Sequence, residues 1–259
     1  MAEKLRLDAA VYQRGLAPSR EKARRMIMAG EVRVNGQIAD KPGMRIKGDA
    51  NITVTAKPRF VSRGGEKLAG ALAAFPVNIE GAICADVGAS TGGFTDCLLQ
   101  HGAAKVYAID VGYGQLDYTL RQDSRVVVME RTNARYVEKL DDAIGIVVMD
   151  ASFISLRLLL PVVKGWLAKT ATVIPLIKPQ FEAGKRDVGK GGVVRDSEVH
   201  QRVLFDVLHF AREADFGVQG LVRSPLKGPA GNIEFLAWLT WPKNNEQVDI
   251  EQLIAEVLD

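Results

Sequence analysis

The polar and apolar positions change rhythm along the chain. From Leu5 to Arg14 apolar residues recur at helical spacing and stop at Gly15, so the spacing predicts a first helix over 5–14. Pro18-Ser19 opens a second helix, with Ser19 as N-cap and Glu21 in the first turn, running from Arg20 to Ala29 and stopping at Gly30. Its inward face is Ala23, Met26 and Ile27. That leaves Arg20, Lys22, Arg24 and Arg25 outside as a basic ridge. The period then falls to two: residues 31–36 alternate into an Asn35-Gly36 turn, Lys41-Pro42-Gly43 is a loop, and residues 49–54 form a last short strand.

Beyond residue 56 the pattern is longer-ranged. Apolar strand-like runs fall at 83–86, 105–109, 125–130, 144–149, 171–177, 220–225 and 233–239. Helical stretches lie between them, including 155–168 and 197–214. This alternation, closed by a hairpin, predicts an α/β domain with a mostly parallel seven-stranded sheet and one antiparallel strand. A small α+β domain precedes it. The expected boundaries are 1–56 for the small domain, 57–65 for a linker with a flexible joint at Gly64-Gly65, and 66–259 for the large domain. The glycine-rich stretch 183–195 reads as a mobile surface loop at the strand tips, and the tail from Glu246 to Asp259 as amphipathic.

Charge adds a partner to this outline. Residues 1–60 hold 13 Lys+Arg against 6 Asp+Glu, and the remainder holds 21 against 25. A basic module on a mildly acidic body points to a polyanion, nucleic acid above all. No apolar run approaches the ~20 residues of a membrane helix. The first residues lack a signal-peptide apolar region, and Cys84 and Cys97 are too few for a disulfide framework. A cytoplasmic location is expected, with no membrane role and no obligate protein partner. The three histidines, His101, His200 and His209, have no metal-ligand spacing, so no metal site is expected.

The candidate chemistry centres on Ile83-Cys84-Ala85-Asp86-Val87-Gly88-Ala89-Ser90-Thr91-Gly92-Gly93-Phe94. Strand, glycine loop and helix form a nucleotide cradle, because glycines admit close approach and the helix start offers free N–H groups. Asp110 follows Asp86 by 24 positions at the tip of the next strand, a place that suits a ribose diol. The loop lacks G-x-G-x-x-G spacing and carries no Gly-Lys-Ser/Thr, so a nucleoside without a pyrophosphate, such as S-adenosylmethionine, fits better. Val111, next to Asp110, and Asn133, at the tip of the third strand, join this cofactor set. Asp150 and Lys178 also stand directly after apolar strands and aim at the same crevice. Asp150 equally suits a helix cap, and Lys178 a plain ion pair with it.

Residues Arg6-Leu7-Asp8, Gly15, Ser19-Arg20, Ala23, Ile27, Gly30, Val32-Arg33-Val34-Asn35-Gly36, Lys41-Pro42 and Asp49 resemble the S4 RNA-binding domain. That resemblance implies contact with structured RNA through Arg6, Ser19, Arg20, Lys22, Arg24, Arg25 and Lys41, with Arg59 and Arg63 in the basic linker added. The large domain, with its Asp86–Phe94 loop, resembles FtsJ-type ribose 2′-O-methyltransferases of the Rossmann-like class I fold. Their Lys-Asp-Lys-Glu tetrad matches Lys67, Asp150, Lys178 and Glu234, and Ser90-Thr91 stands where the family often has Ala-Pro. Both domains together resemble the TlyA family of ribosomal RNA cytidine 2′-O-methyltransferases, also labelled haemolysin A-like. The resemblance implies S-adenosylmethionine as cofactor and ribosomal RNA or ribosomal subunits as partner. It implies Lys178 as base or its immediate partner, Asp150 orienting it, and Lys67 and Glu234 positioning the ribose. Lysine takes a proton only when its own is loosened, and a neighbouring cation such as Lys67 is expected to do so. The alternatives are an RNA-binding assembly factor without turnover, against which the full tetrad argues, and a membrane-active haemolysin, for which the sequence offers no spanning segment.

Overall fold

In the computed structural model Lys4–Arg6 is a strand (β1), not the first turn of a helix. It pairs antiparallel with Arg45–Lys47, Leu5 opposite Ile46. That pairing gives the backbone of both segments hydrogen-bond partners that a frayed first turn would lack. Helix α1 therefore spans Leu7–Gln13. Helix α2 (Arg20–Met28) follows, with Ser19 Oγ accepting from Lys22 N at 3.1 Å as its cap. β2 (Val32–Val34) and β3 (Gln37–Ile38) form a hairpin across Asn35 and Gly36, whose φ values of 49° and 83° are what this turn needs. β4 (Arg45–Lys47) completes the pair with β1, and β5 (Ile52–Val54) lies antiparallel to β2. Leu7, Val11, Ala23, Ile27, Val32 and Ile46 form the core.

The structure describes residues 4–28, 30–55, 59–228, 230–243 and 248–259. They divide into two units, Met1–Arg59 and Phe60–Asp259. Ala29 of the second helix, residues 57 and 58 of the linker, Pro229 and the start of the tail at 246 and 247 lie outside the described residues. Gly64 and Gly65 are not a flexible joint. They form the first turn of α3 (Gly64–Ala74), and a Cβ on Gly65 would fall 2.2 Å from Cγ of the buried Phe60. Packing, not freedom, explains glycine there.

The rest of the second unit alternates as periodicity demands. β6 (Ile83–Val87), α4 (Gly93–Gln100), β7 (Lys105–Ile109), α5 (Tyr118–Arg121) and β8 (Val126–Met129) come first. β9 (Ile144–Met149), α6 (Leu156–Val163), β10 (Leu167–Ile177), α7 (Pro179–Glu182) and α8 (Ser197–Glu213) follow. β11 (Gly217–Arg223), β12 (Phe235–Trp241) and α9 (Ile250–Leu258) end the chain. The seven strands run in the order β11-β12-β10-β9-β6-β7-β8. Only β12 opposes its neighbours. The helix expected over 155–168 stops at Val163. Gly165 lies in the 3₁₀ turn Lys164–Trp166 that follows, and Trp166 Nε1 donates to Val137 O at 2.8 Å. β10 consequently starts at Leu167, four residues earlier than periodicity places it.

Alternate side chains feed two cores. Ala85, Val87, Val147 and Met149 face the layer of α6, α8 and α9. Cys84, Ile146, Val148 and Leu176 face α3 and α4. Strands buried on both faces read as continuous apolar runs, as these do. The chain builds outward from β6 to β8 and then returns to β9 on the other side of β6. Open sheets of this kind bind ligands where the order reverses, beyond the strand ends.

Candidate active site

The reversal between β6 and β9 brings Gly88 against Asp150. Gly88 has a φ of 85°, and a Cβ there would fall 2.8 Å from the Asp150 carbonyl oxygen. Glycine is required twice over, for the turn and for the approach. Ser90 then takes a φ of 48°, and its N–H donates to Asp110 Oδ2 at 2.8 Å. The other oxygen of Asp110 accepts from Gly112 N at 2.7 Å. The acid at the tip of β7 thus ties the glycine loop to its own loop. Gly92, at a φ of 97°, caps α4 under Leu116 and Leu120, which leave a Cβ no room.

A cavity of about 640 Å³ opens beside this loop, within the range of small-ligand sites. Of the expected cofactor residues, Gly88, Ser90, Asp110, Val111, Asn133 and Asp150 line it, with Ile154, Leu158 and Leu159 as its apolar side. Ala89 and Phe94 line a neighbouring cavity instead. Asp86, Thr91, Gly92 and Gly93 line neither. Asp86 is fully buried. Its Oδ2 accepts from Thr95 N at 2.9 Å and from Thr95 Oγ1 at 2.7 Å, so it holds the start of α4. Oδ1 has no partner among the described residues, and burial pushes this carboxyl up to about 7.

The neighbouring cavity, about 890 Å³, shares Gly88, Ser90, Asp150, Ser152 and Phe153 with the first. The two are lobes of one cleft. Lys67 from α3, Asp150 after β9, Lys178 after β10 and Glu234 before β12 all line the larger lobe. They form two ion pairs. Lys178 Nζ lies 2.5 Å from Asp150 Oδ1 and also donates to Ser152 Oγ at 2.9 Å and to the Asp150 carbonyl at 3.3 Å. Lys67 Nζ lies 2.6 Å from Glu234 Oε2, and Gln180 Nε2 donates to Glu234 Oε1 at 3.3 Å. Each lysine is matched by its own carboxylate, so the second cation expected beside Lys178 is itself paired. Ser152 and Gln180 are additions that sequence reasoning passed over, although both sit two residues beyond singled-out strand-tip residues. Lys227, whose carbonyl accepts from Arg63 Nη2 at 3.4 Å, is another residue of this lobe.

In the first unit Arg6, Ser19, Arg20, Lys22, Arg24, Arg25 and Lys41 are all exposed. Several of them are already engaged, Arg25 with Glu21 at 3.8 Å among them. Asp8, 1% exposed, takes Arg6 through both carboxylate oxygens, at 3.1 and 3.0 Å, and Arg20 at 3.3 Å. The Arg6 hydrogen bonds hold the Asp8 carboxyl down to about 2, with Arg20 assisting. Ser19 spends its hydroxyl on the α2 cap. Arg59 is exposed at the end of this unit, and Arg63 is exposed at the rim of the larger lobe.

The stretch read as a mobile loop is held. Gly189 and Val193 form a bridge, Val194 is buried, and Asn232 bonds the segment from both ends of its amide.

Residues 60–241 match the pattern of FtsJ-like methyltransferases, and residues 5–52 that of the S4 domain. YqxC of Bacillus subtilis is 51% identical over 95% of this chain and 89% of its own length. The 16S/23S rRNA (cytidine-2′-O)-methyltransferase TlyA of Mycobacterium tuberculosis is 48% identical over 92% of this chain and 91% of its own. A solved Streptococcus thermophilus structure described as a hemolysin superposes with a TM-score of 0.73 at 45% identity, covering 99% of this chain and 96% of that one. With the tetrad gathered in one lobe, the glycine loop in the next and these relatives spanning almost the whole chain, the protein belongs to the FtsJ-like methyltransferases, in the branch of TlyA and YqxC that carries an S4 domain.

Proposed function

We propose that this chain methylates the 2′-hydroxyl of a ribose, that of a cytidine in ribosomal RNA, using S-adenosylmethionine, while its S4 unit docks structured RNA. The observation that carries this reading is the shared cleft: four charged residues from separate elements meet in one lobe, and that lobe opens through Gly88, Ser90 and Asp150 into a second sized for a nucleoside.

The smaller lobe fits the cofactor by its chemistry. Gly88 and Ser90 let the ligand approach the loop backbone, Asp110 presents carboxylate oxygens to a ribose diol, and Leu158 and Leu159 offer an apolar wall to an adenine. When bound, S-adenosylmethionine supplies an electrophilic methyl group on a positively charged sulfur. Asp150 lines both lobes, so its carboxylate serves the cofactor side and Lys178 at once. A ribose hydroxyl is a poor nucleophile and must give up its proton as it attacks. Lys178 takes that proton from its neutral amine form, having released one of its ammonium protons before the step, with its Nζ held in place by Asp150 and Ser152. Lys67 and Glu234 fix the sugar. Holding both reactants aligned removes much of the entropic barrier. The Asp8-braced arginines and the ridge on α2 give the S4 unit its phosphate contacts, which position RNA without reading sequence.

The test is transfer of labelled methyl from S-adenosylmethionine to ribosomal RNA or intact subunits. The expected product is one nucleotide resistant to alkaline cleavage. Cofactor binding without transfer to any of these substrates would leave an assembly factor as the better reading.

A further inference from the structure

The larger lobe has a wall that the tetrad does not supply. Gly191 and Gly192, at φ values of 83° and 75°, line it beside Glu234. They sit at the tip of a short hairpin closed by Gly189 N donating to Val193 O at 3.2 Å and Gly192 N donating to Gly189 O at 3.0 Å. A hairpin of this length is not stable alone. What fixes it is Asn232, 2% exposed, two residues before Glu234. Asn232 Nδ2 donates to Gly192 O at 2.9 Å, and Asn232 Oδ1 accepts from Val194 N at 2.9 Å. Its own carbonyl accepts from Gly228 N at 2.9 Å, which ties the same residue to the other loop of the lobe. A buried amide that uses its donor and its acceptor on one backbone segment sets that segment's position more tightly than an apolar contact would.

We propose that Asn232 is the positioning residue of the RNA lobe: it locks the Gly189–Val194 hairpin to the base of β12, so that Gly191 and Gly192 form a fixed wall against which the target nucleotide is set before Lys178 and Asp150. This rests on the ribose methylation reading above. The glycines suit the task, because nothing lies within 4 Å of where a Cβ would stand on either one, leaving bare backbone toward the lobe. The cofactor lobe contains no residue of this hairpin, so loosening it acts on RNA placement alone.

The experiment compares wild type, Asn232→Ala and Asn232→Asp, the last retaining the acceptor for Val194 N and lacking the donor to Gly192 O. Three quantities are read: kcat and KM for methyl transfer to ribosomal RNA, affinity for S-adenosylmethionine by calorimetry, and trypsin cleavage after the exposed Lys190. Asn232→Ala is expected to lower kcat by about 10²-fold, the usual cost of misplacing a reactant by about 1 Å. Its cofactor affinity should match wild type, and cleavage after Lys190 should appear. Asn232→Asp should fall between the two, and it carries the test if the alanine variant does not fold. A cleaved hairpin with unchanged kcat would overturn the proposal, as would an uncleaved one or a loss of cofactor affinity parallel to the loss of turnover. A wild type that methylates no ribosomal RNA would overturn the functional reading itself, and the proposal with it.

Discussion

Lys67 Nζ lies 2.6 Å from Glu234 Oε2, a pairing of buried side chains 167 positions apart in the chain. Removing water from two charges costs nearly what their attraction returns, so such a pair is a poor device for stability and a good one for fixing charge at a site.

Breaking it from one side should be costly. Lys67→Ala leaves Glu234, 1% exposed, with the neutral Gln180 amide but without its counter-charge, and is expected to lower the unfolding free energy by about 3–5 kcal/mol. Lys67→Met combined with Glu234→Leu should recover most of that loss while methyl transfer stays absent. Urea unfolding of the three proteins checks it. A single variant as stable as wild type would mean that water reaches the remaining carboxylate.

In the proposed mechanism, substitution of Lys178 is expected to separate chemistry from binding. Lys178→Ala is expected to reduce methyl transfer by about 10²–10⁴-fold, the range of a proton-transfer residue, and to leave cofactor affinity nearly intact. Calorimetry with S-adenosylmethionine beside labelled transfer decides it. If affinity falls with turnover, the residue works by holding Asp150 in the cofactor lobe.

Two glycines with similar backbone give a matched comparison. Gly88→Ala places a methyl 2.8 Å from the Asp150 carbonyl at a φ of 85°, whereas Gly81→Ala, at 71°, meets nothing within 4 Å. Gly81→Ala should cost only the backbone strain, about 1–2 kcal/mol. Gly88→Ala should cost more and weaken cofactor binding as well. Equal thermal shifts in the two variants would show that the loop simply moves aside.

The buried Asp86 carboxyl makes stability depend on pH in an unusual direction. Burial raises it to about 7 against the pull of Thr95, with the charges of Asp150 and Asp110 adding to the rise. Unfolded, it ionises near 3.8. Between those values the folded protein keeps a proton that the unfolded chain gives up. Its contribution to stability therefore falls as pH rises from about 4 to about 7, and is flat above. Asp86→Asn should remove that slope. Urea midpoints of both proteins across this range test it. Parallel curves would mean that the carboxylate is ionised inside the fold.

Much of this molecule is legible in its sequence, and the reason is locality. Strands buried on both faces must be apolar throughout, so residues 144–149 announce β9 without any partner being known. Asn35-Gly36 dictates its hairpin, and Ser19 its helix, through bonds within a few residues. Resemblance to a family named Lys67, Asp150, Lys178 and Glu234, but not which lysine would meet which acid.

Tertiary structure decided what local rules do not reach. Lys4–Arg6 became a strand because its partner, Arg45–Lys47, lies some forty positions away. Asp86, which follows an apolar run as a ligand group would, turned to Thr95 because parallel packing of β6 between β7 and β9 encloses it. Gly64-Gly65 looks like a hinge in one dimension and is the floor for the Phe60 ring in three. The stretch 183–195 has no periodicity of its own, and it takes distant partners, Asn232 across 38 and 40 positions and Arg202 paired with Asp187, to show that it is held. Hydrophobic period and turn chemistry are written residue by residue. The pairing of buried polar groups is set by the path of the chain, which alone brings distant partners within hydrogen-bond reach.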